Sequence, residues 1–164
     1  MKAGKPKPFL NNSFTEAAPS FSPDGRWLAY QSNESGKDEV YLRAFPPPSS
    51  GQGGKWQISN SGGTFPRWTR NGHELMYQSG DRIMAASYTV KGDTFVAEKP
   101  SVWIAKLGAE PSAGFQAWDL SPDGKRVAVL TPAESAEAPK QDHEVVFLEN
   151  FFDELRRRVP VEKK

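Results

Sequence analysis

The sequence predicts an all-β chain: a β-propeller segment of three four-stranded blades followed by a short C-terminal helix. Three observations carry this. The phrase SFSPDGRWLAY at 20–30 returns as DLSPDGKRVAV at 119–129, and RWTRNGHELMY at 67–77 is a third copy lying between them. The turn centres, Asp24-Gly25, Asn71-Gly72 and Asp123-Gly124, are spaced by 47 and 52 residues, close to the roughly 40 to 50 residues of one four-stranded propeller blade. Each turn also divides a strand-like run that ends on it from an apolar, aromatic or β-branched run that leaves it.

The turn chemistry explains the residues chosen. Pro presets φ, Asp or Asn bonds the backbone two residues on, and Gly accepts positive φ. In the middle copy Arg70 replaces Pro and Asn71 replaces Asp, and the amide keeps the turn bonding. The first strands are read at 17–22, 64–69 and 115–121, the second at 27–32, 74–79 and 126–131. Third strands start at Glu39, Arg82 and Glu144, and fourth strands follow at 55–59 and 99–105 only. The second strands are apolar at consecutive positions, as in Leu75-Met76-Tyr77, which is the pattern of a sheet covered on both faces. The expected organisation is an outer strand at 5–11, blades at 16–60, 63–106 and 114–151, and a helix at 151–159. Asn150 is an N-cap type, Asp153 and Glu154 suit the positive helix end, Arg156, Arg157 and Arg158 the negative end, and Pro160 stops it.

Composition narrows the function classes. The 164 residues suit one domain, and 14 Gly, 14 Pro and 12% aromatic residues describe a turn-rich, packed chain. A formal charge of +1, from 21 basic and 20 acidic residues, creates no field that recruits nucleic acid or an anionic membrane. With no cysteine there are no disulfides, zinc-thiolate sites or cysteine nucleophiles. No apolar run reaches the ~20 residues of a membrane span, and MKAGKPKPFL lacks a signal-peptide core, so no membrane insertion is expected. The abrupt start reads as an excised segment, with any export signal lying upstream.

Catalytic and metal chemistry find little support. His73 and His143 open HELMY and HEVVF, which resemble a zinc-peptidase HExxH but end in an aromatic residue and sit at strand starts. There is no Gly-x-Ser-x-Gly elbow, and Ser22 and Ser121 precede Pro inside turns. Asp24 and Asp123 are explained by their own turns, and the neutral Asn71 at the third copy argues against a calcium ring. Neither cofactor nor metal is expected, and the chain reads as a non-enzyme. Asn11 and Asn33 fit the glycosylation pattern, which is too short to assign a role. Trp27, Trp56, Trp68, Trp103 and Trp118 read as blade-to-blade core rather than a stacking platform. Inner-strand positions vary between copies: Ser20, Arg67 and Asp119 are equivalent, and Arg67 and Asp119 are the candidate binding residues near the channel.

These motifs resemble the TolB-like propeller family, whose WD-like repeat carries a Ser-Pro-Asp-Gly turn between its first two strands. FSPDGRWLAYQSNESGKDEVYLRAFP, GKWQISNSGGTFPRW and FFDELRRRVP are similar to the last blades of propellers fused behind bacterial serine/threonine kinase domains. The resemblance implies a protein-interaction or sensor module, the terminal part of a larger bacterial protein such as a receptor-type kinase, and slightly favours a periplasmic or other extracytoplasmic location. The alternative is the propeller cap of a prolyl-oligopeptidase-like hydrolase whose catalytic domain is absent. Three blades are fewer than the four to eight of a closed propeller. The expectation is a homodimer closing a six-bladed ring, in which KPKPFLN at 5–11 supplies the outer strand of the partner's third blade; the alternative is that upstream blades of the native protein close the ring and any dimer follows from excision.

Overall fold

The computed structural model describes residues 5, 7–48, 54–108 and 115–131 in full and the backbone of 144–148. Among these residues it is all-β, with twelve strands. The first sheet runs β1 (Glu16–Phe21), β2 (Trp27–Ser32), β3 (Glu39–Ala44) and β4 (Lys55–Gln57) in that order, all antiparallel. The second is built on β5 (Thr64–Trp68), β6 (Glu74–Ser79) and β7 (Arg82–Lys91), and β7 pairs with both β8 (Thr94–Ala97) and β9 (Ser101–Ile104). The third contains β10 (Trp118–Leu120), β11 (Val127–Thr131) and β12 (Glu144–Leu148).

The first sheet has the four strands read for it, the second has five where four were read, and the third shows three among the described residues. β8 is the extra element. Gly92-Asp93 makes a tight turn, with Gly92 at φ 59°, and folds β8 back on the outer half of the ten-residue β7. Residues 7–11, read as an outer strand, form none in this chain; Phe9 instead rests on Phe45 with ring centres 5.4 Å apart. The helix read at 151–159 lies outside the described residues.

Two cores hold the sheets together, and strand alternation assigns each side chain to one of them. Between the first and second sheets Trp27, Ala29, Val40, Leu42 and Ile58 meet Trp68, Leu75, Tyr77, Ala86 and Phe95. Between the second and third, Met76, Ile83 and Ala85 meet Leu107, Trp118, Val127 and Val129. Leu75 and Tyr77 therefore face one way along β6 and Met76 the other, which accounts for its consecutive apolar residues. Phe95 ties β8 to the first sheet: its ring lies 5.3 Å from Trp27, 6.1 Å from Trp56 and 4.8 Å, stacked, from Tyr88. At the hairpin tip Arg26 donates to the Gly92 carbonyl at 2.8 Å.

The three turns share one geometry. The Ser22, Thr69 and Ser121 carbonyls accept from the N–H of Gly25, Gly72 and Gly124 at 2.9, 3.0 and 2.9 Å, and these glycines have φ of 70°, 69° and 70°. The side-chain oxygens of Asp24, Asn71 and Asp123 accept from the N–H of Arg26, His73 and Lys125 at 3.0, 3.2 and 3.0 Å. Each also accepts from the hydroxyl two residues earlier: Ser22 to Asp24 and Thr69 to Asn71 at 2.6 Å, and Ser121 to Asp123. That hydroxyl in turn accepts the N–H that opens the second strand, from Trp27, Glu74 and Arg126 at 3.0, 3.1 and 3.0 Å. The repeating unit is thus Ser/Thr-x-Asp/Asn-Gly, and the Pro is dispensable. One buried carboxylate shapes the connector between sheets: Glu39 accepts from the Ser59 hydroxyl and from the Gly62 N–H at 3.0 Å, with Lys37 at 3.4 Å.

Two predictions follow from this packing and bonding. Phe95→Ala is expected to lower stability by about 3–5 kcal/mol in urea denaturation, whereas Val96→Ala, at an exposed neighbour, stays within about 0.5 kcal/mol. Burial alone would raise the Asp24 pKa, but the bonds from Ser22 and Arg26 outweigh it and hold the carboxyl below its ordinary value of 3.8. The Asp123 carboxyl is lowered chiefly by the Ser121 hydroxyl and the Lys125 N–H. Groups depressed in the folded state stabilise it above their unfolded pKa of about 3.9 and lose that contribution as pH falls through the lower folded value. Thermal melts of Asp24→Asn/Asp123→Asn, which copies Asn71, are expected to match the parent at neutral pH and to fall less steeply below pH ~4.

Candidate functional site

A β-bulge positions the inner strand of the second sheet. The register of β5 on β6 shifts between Thr64 and Arg67, so that Phe65 and Pro66 together oppose Tyr77. β1 does the same between Ala17 and Ser20, with Ala18 and Pro19 opposite Tyr30. Ala18 and Phe65 are equivalent in the repeat, and both take positive φ, 50° and 52°. A non-glycine residue there costs roughly 1–2 kcal/mol. The following prolines suit the bulge, because an N–H at the unpaired position would have no ladder partner. In β5 the Phe65 N–H is instead taken by Oε1 of Gln31 on the first sheet, at 3.2 Å.

The bulge breaks the alternation of the strand and sets the direction of the next side chain, Arg67. Its guanidinium donates to the Pro66 carbonyl at 2.9 Å and to Oε1 of Gln116 ahead of β10, and its Nε lies 3.9 Å from Asp119 Oδ1. The two residues singled out in the sequence, Arg67 and Asp119, are therefore brought together, and Gln116 joins them. Sequence reading passed over Gln116, which is equivalent to Ala17 and Thr64 and whose partner lies 49 residues away. Ser20, the third equivalent position, contributes its carbonyl to the Trp68 indole N–H at 2.9 Å.

Charge balance at this cluster is uneven. The Arg67 side chain is 31% exposed and the Asp119 side chain 77%. Burial pulls the guanidinium below its ordinary pKa while Asp119 opposes the shift, and arginine stays protonated throughout the physiological range. An ion pair this long, with so exposed a carboxylate, is worth about 0–1 kcal/mol. The close partners of the cation are neutral oxygens. The arrangement can accept a further carboxylate or phosphate oxygen in place of the Gln116 amide, which is the chemistry that suits a planar guanidinium.

Other residues considered for chemistry sit apart. His73 is exposed on its turn, and its N–H goes to Asn71. His143 lies outside the described residues. Trp27, Trp68 and Trp118 are buried between sheets, with Trp56 and Trp103 packed at the edges of the two cores. Among the described residues no three His, Asp or Glu side chains converge as a metal site, and no helix is long and apolar enough to cross a membrane.

No family model and no curated protein matches the chain. Among solved structures it is similar to oligogalacturonate lyase from Vibrio parahaemolyticus, with 13% identity and a TM-score of 0.52 over 80% of this chain and 34% of that one. It is also similar to TolB from Acinetobacter baumannii, with 14% identity and a TM-score of 0.44 over 85% of this chain and 42% of that one. The chain thus spans about a third of the lyase and about two fifths of the TolB protein. Oligogalacturonate lyase is a β-propeller protein, and what that likeness establishes is the fold alone: the described sheets form a β-propeller module.

Proposed function

We propose that the chain is a non-enzymatic interaction module, the propeller portion of a larger bacterial protein such as a receptor-type kinase, whose inner strands bind a peptide or protein partner through Arg67. The supporting observation is the half-buried guanidinium held by neutral acceptors, with the one carboxylate near it among the described residues, Asp119, 3.9 Å away. A partner carboxylate gains a charge-assisted, bidentate bond there that water cannot match in a partly desolvated setting. Asp119, at the rim, orients the approach and disfavours ligands whose negative charge is not aimed at the guanidinium. The competing reading is a propeller that caps or forms part of an enzyme. The fold supports either, because propeller scaffolds host both.

Binding and turnover separate the two. A fluorescein-labelled oligoglutamate peptide is expected to bind the purified chain, and Arg67→Ala to weaken that binding about tenfold or more, some 1.4 kcal/mol. Equal binding by parent and variant in fluorescence anisotropy would overturn the assignment to Arg67. Incubation with peptide, ester and oligogalacturonate substrates is expected to give no product. Turnover abolished by one substitution would place the chain among enzymes.

A further inference from the structure

The junctions inside the chain show what covers a sheet of this kind. At each, the forward face of one sheet meets the backward face of the next. The 47- and 52-residue offsets carry these positions to the sheets at either end. Phe21, Leu28 and Tyr30 on the backward face of the first sheet correspond to Trp68, Leu75 and Tyr77. On the forward face of the third sheet, Ala128 and Leu130 correspond to Met76 and Gln78.

In the second sheet all five of these positions are closed over, at 9% exposure or less. At the ends, Phe21 and Leu130 are each 53% exposed, while Leu28 and Tyr30, beside Phe9 and Leu10, are buried at 8% and 3%. Edges differ in the same way. β3 carries β4 and β7 carries β9, whereas β12 is the last strand of its sheet among the described residues, with Val145 and Phe147 registered against Leu130 and Ala128.

Among the described residues, 7–11 cover the backward face of the first sheet, and the fit is loose. Phe9 and Leu10 lie against Glu16, Ala17, Pro19, Leu28 and Tyr30 around a cavity of about 150 Å³. At its margin Oε2 of Glu16 is buried without a hydrogen-bond partner among the described residues, although Oε1 accepts from Asn12 at 2.8 Å and Ser32 at 3.2 Å. A face shaped to receive a sheet and occupied by a few residues of coil is an exchangeable contact.

We propose that a second copy of this chain covers both faces. The third sheet of each copy seats on the first sheet of the other, closing a two-fold ring of six blades, and residues 7–11, displaced from the face, become the outer strand on the partner's β12. A second copy is the partner that fits because the complement of a backward face in this molecule is a forward face, and one chain carries both. Two copies then satisfy each other reciprocally and leave no face open. The displaced segment is released beside the outer edge of the partner's β12, where KPKPFLN aligns with the β9 region, Phe9 on Trp103 and Leu10 on Ile104.

Light scattering coupled to size exclusion tests this on the full 164-residue chain at micromolar concentration. Twice the chain mass is expected. A folded monomer would assign both faces to sheets from outside the chain, and a concentration-dependent ladder of larger species would show that the junction does not close; either overturns the ring. Leu130→Glu and Phe21→Lys, both at exposed positions, are each expected to give a folded monomer by circular dichroism. Mixed together they pair Glu with Lys at one junction and parent residues at the other, so the dimer returns. Persistent monomers in the mixture would overturn the pairing of these faces. Removal of residues 1–11 is expected to weaken the dimer about tenfold or more, and an unchanged dissociation constant would overturn the strand exchange.

Discussion

Every sheet in this fold has two apolar faces, and its stability requires that both be covered. Along β6 the side chains of Leu75 and Tyr77 enter one core and that of Met76 the other, so the strand belongs to two cores at once. Packed sheets stand about 10 Å apart, which admits large side chains only where the opposing residue is small. The cores obey this limit: Ala29 and Ala86 lie among Trp27, Trp68 and Tyr77, and Ala85 lies among Ile83, Trp118 and Val129. The aromatic contacts of Phe95 extend the first core outward, so that a hairpin of the second sheet closes over the edge of the first. Removing any one sheet from such a stack exposes a face of its neighbour, and sheet order therefore follows from packing as much as from the chain.

How far the sequence disclosed this depends on the range of the interactions involved. Turns and second strands were legible because their determinants are local: a hydroxyl, an Asx side chain and a glycine within four residues fix the turn, and the strand must follow. The middle turn was legible even without Pro, since Thr69 and Asn71 make the same bonds as Ser22 and Asp24. β8 was not read, although Gly92-Asp93 before TFVA is a hairpin signal, because it has no counterpart in the other repeats and an alignment of repeats conceals it. Glu39 and Gln116 were illegible for a different reason. Their partners lie 20 and 49 residues away: pairing of β3 with β4 inside the first sheet brings Ser59 to Glu39, and the stacking of two sheets brings Arg67 to Gln116. Arg67 and Asp119 were singled out because equivalent inner positions carry different polar residues, and the structure places them side by side without itself saying what they bind.

Positive φ at Ala18 and Phe65 is a cost the chain carries twice at one repeat position. A glycine would remove it, yet neither copy has one. At Phe65 the side chain packs against the second core, so substitution by glycine would trade backbone strain for lost burial. Buried Pro66 further stiffens the bulge that sets the direction of Arg67. The guanidinium is thus aimed by backbone whose conformation is fixed by packing on one side and by the Gln31 hydrogen bond on the other. A side chain fixed in this way loses little freedom when a ligand arrives, which is the usual requirement for a directed charge to contribute to binding.

The three repeats also separate shape from charge. At the turns, Asp24, Asn71 and Asp123 keep one hydrogen-bond geometry while the charge changes, so the turn requires the acceptor oxygen and not its charge. At the equivalent inner positions Ser20, Arg67 and Asp119 the strand is retained while side-chain size and charge are not. A position that holds the fold must repeat, because each sheet faces the same packing problem. One that varies in sign on the same backbone is free of that problem, and this contrast is the physical ground for proposing that binding belongs to the inner strands while the turns serve stability.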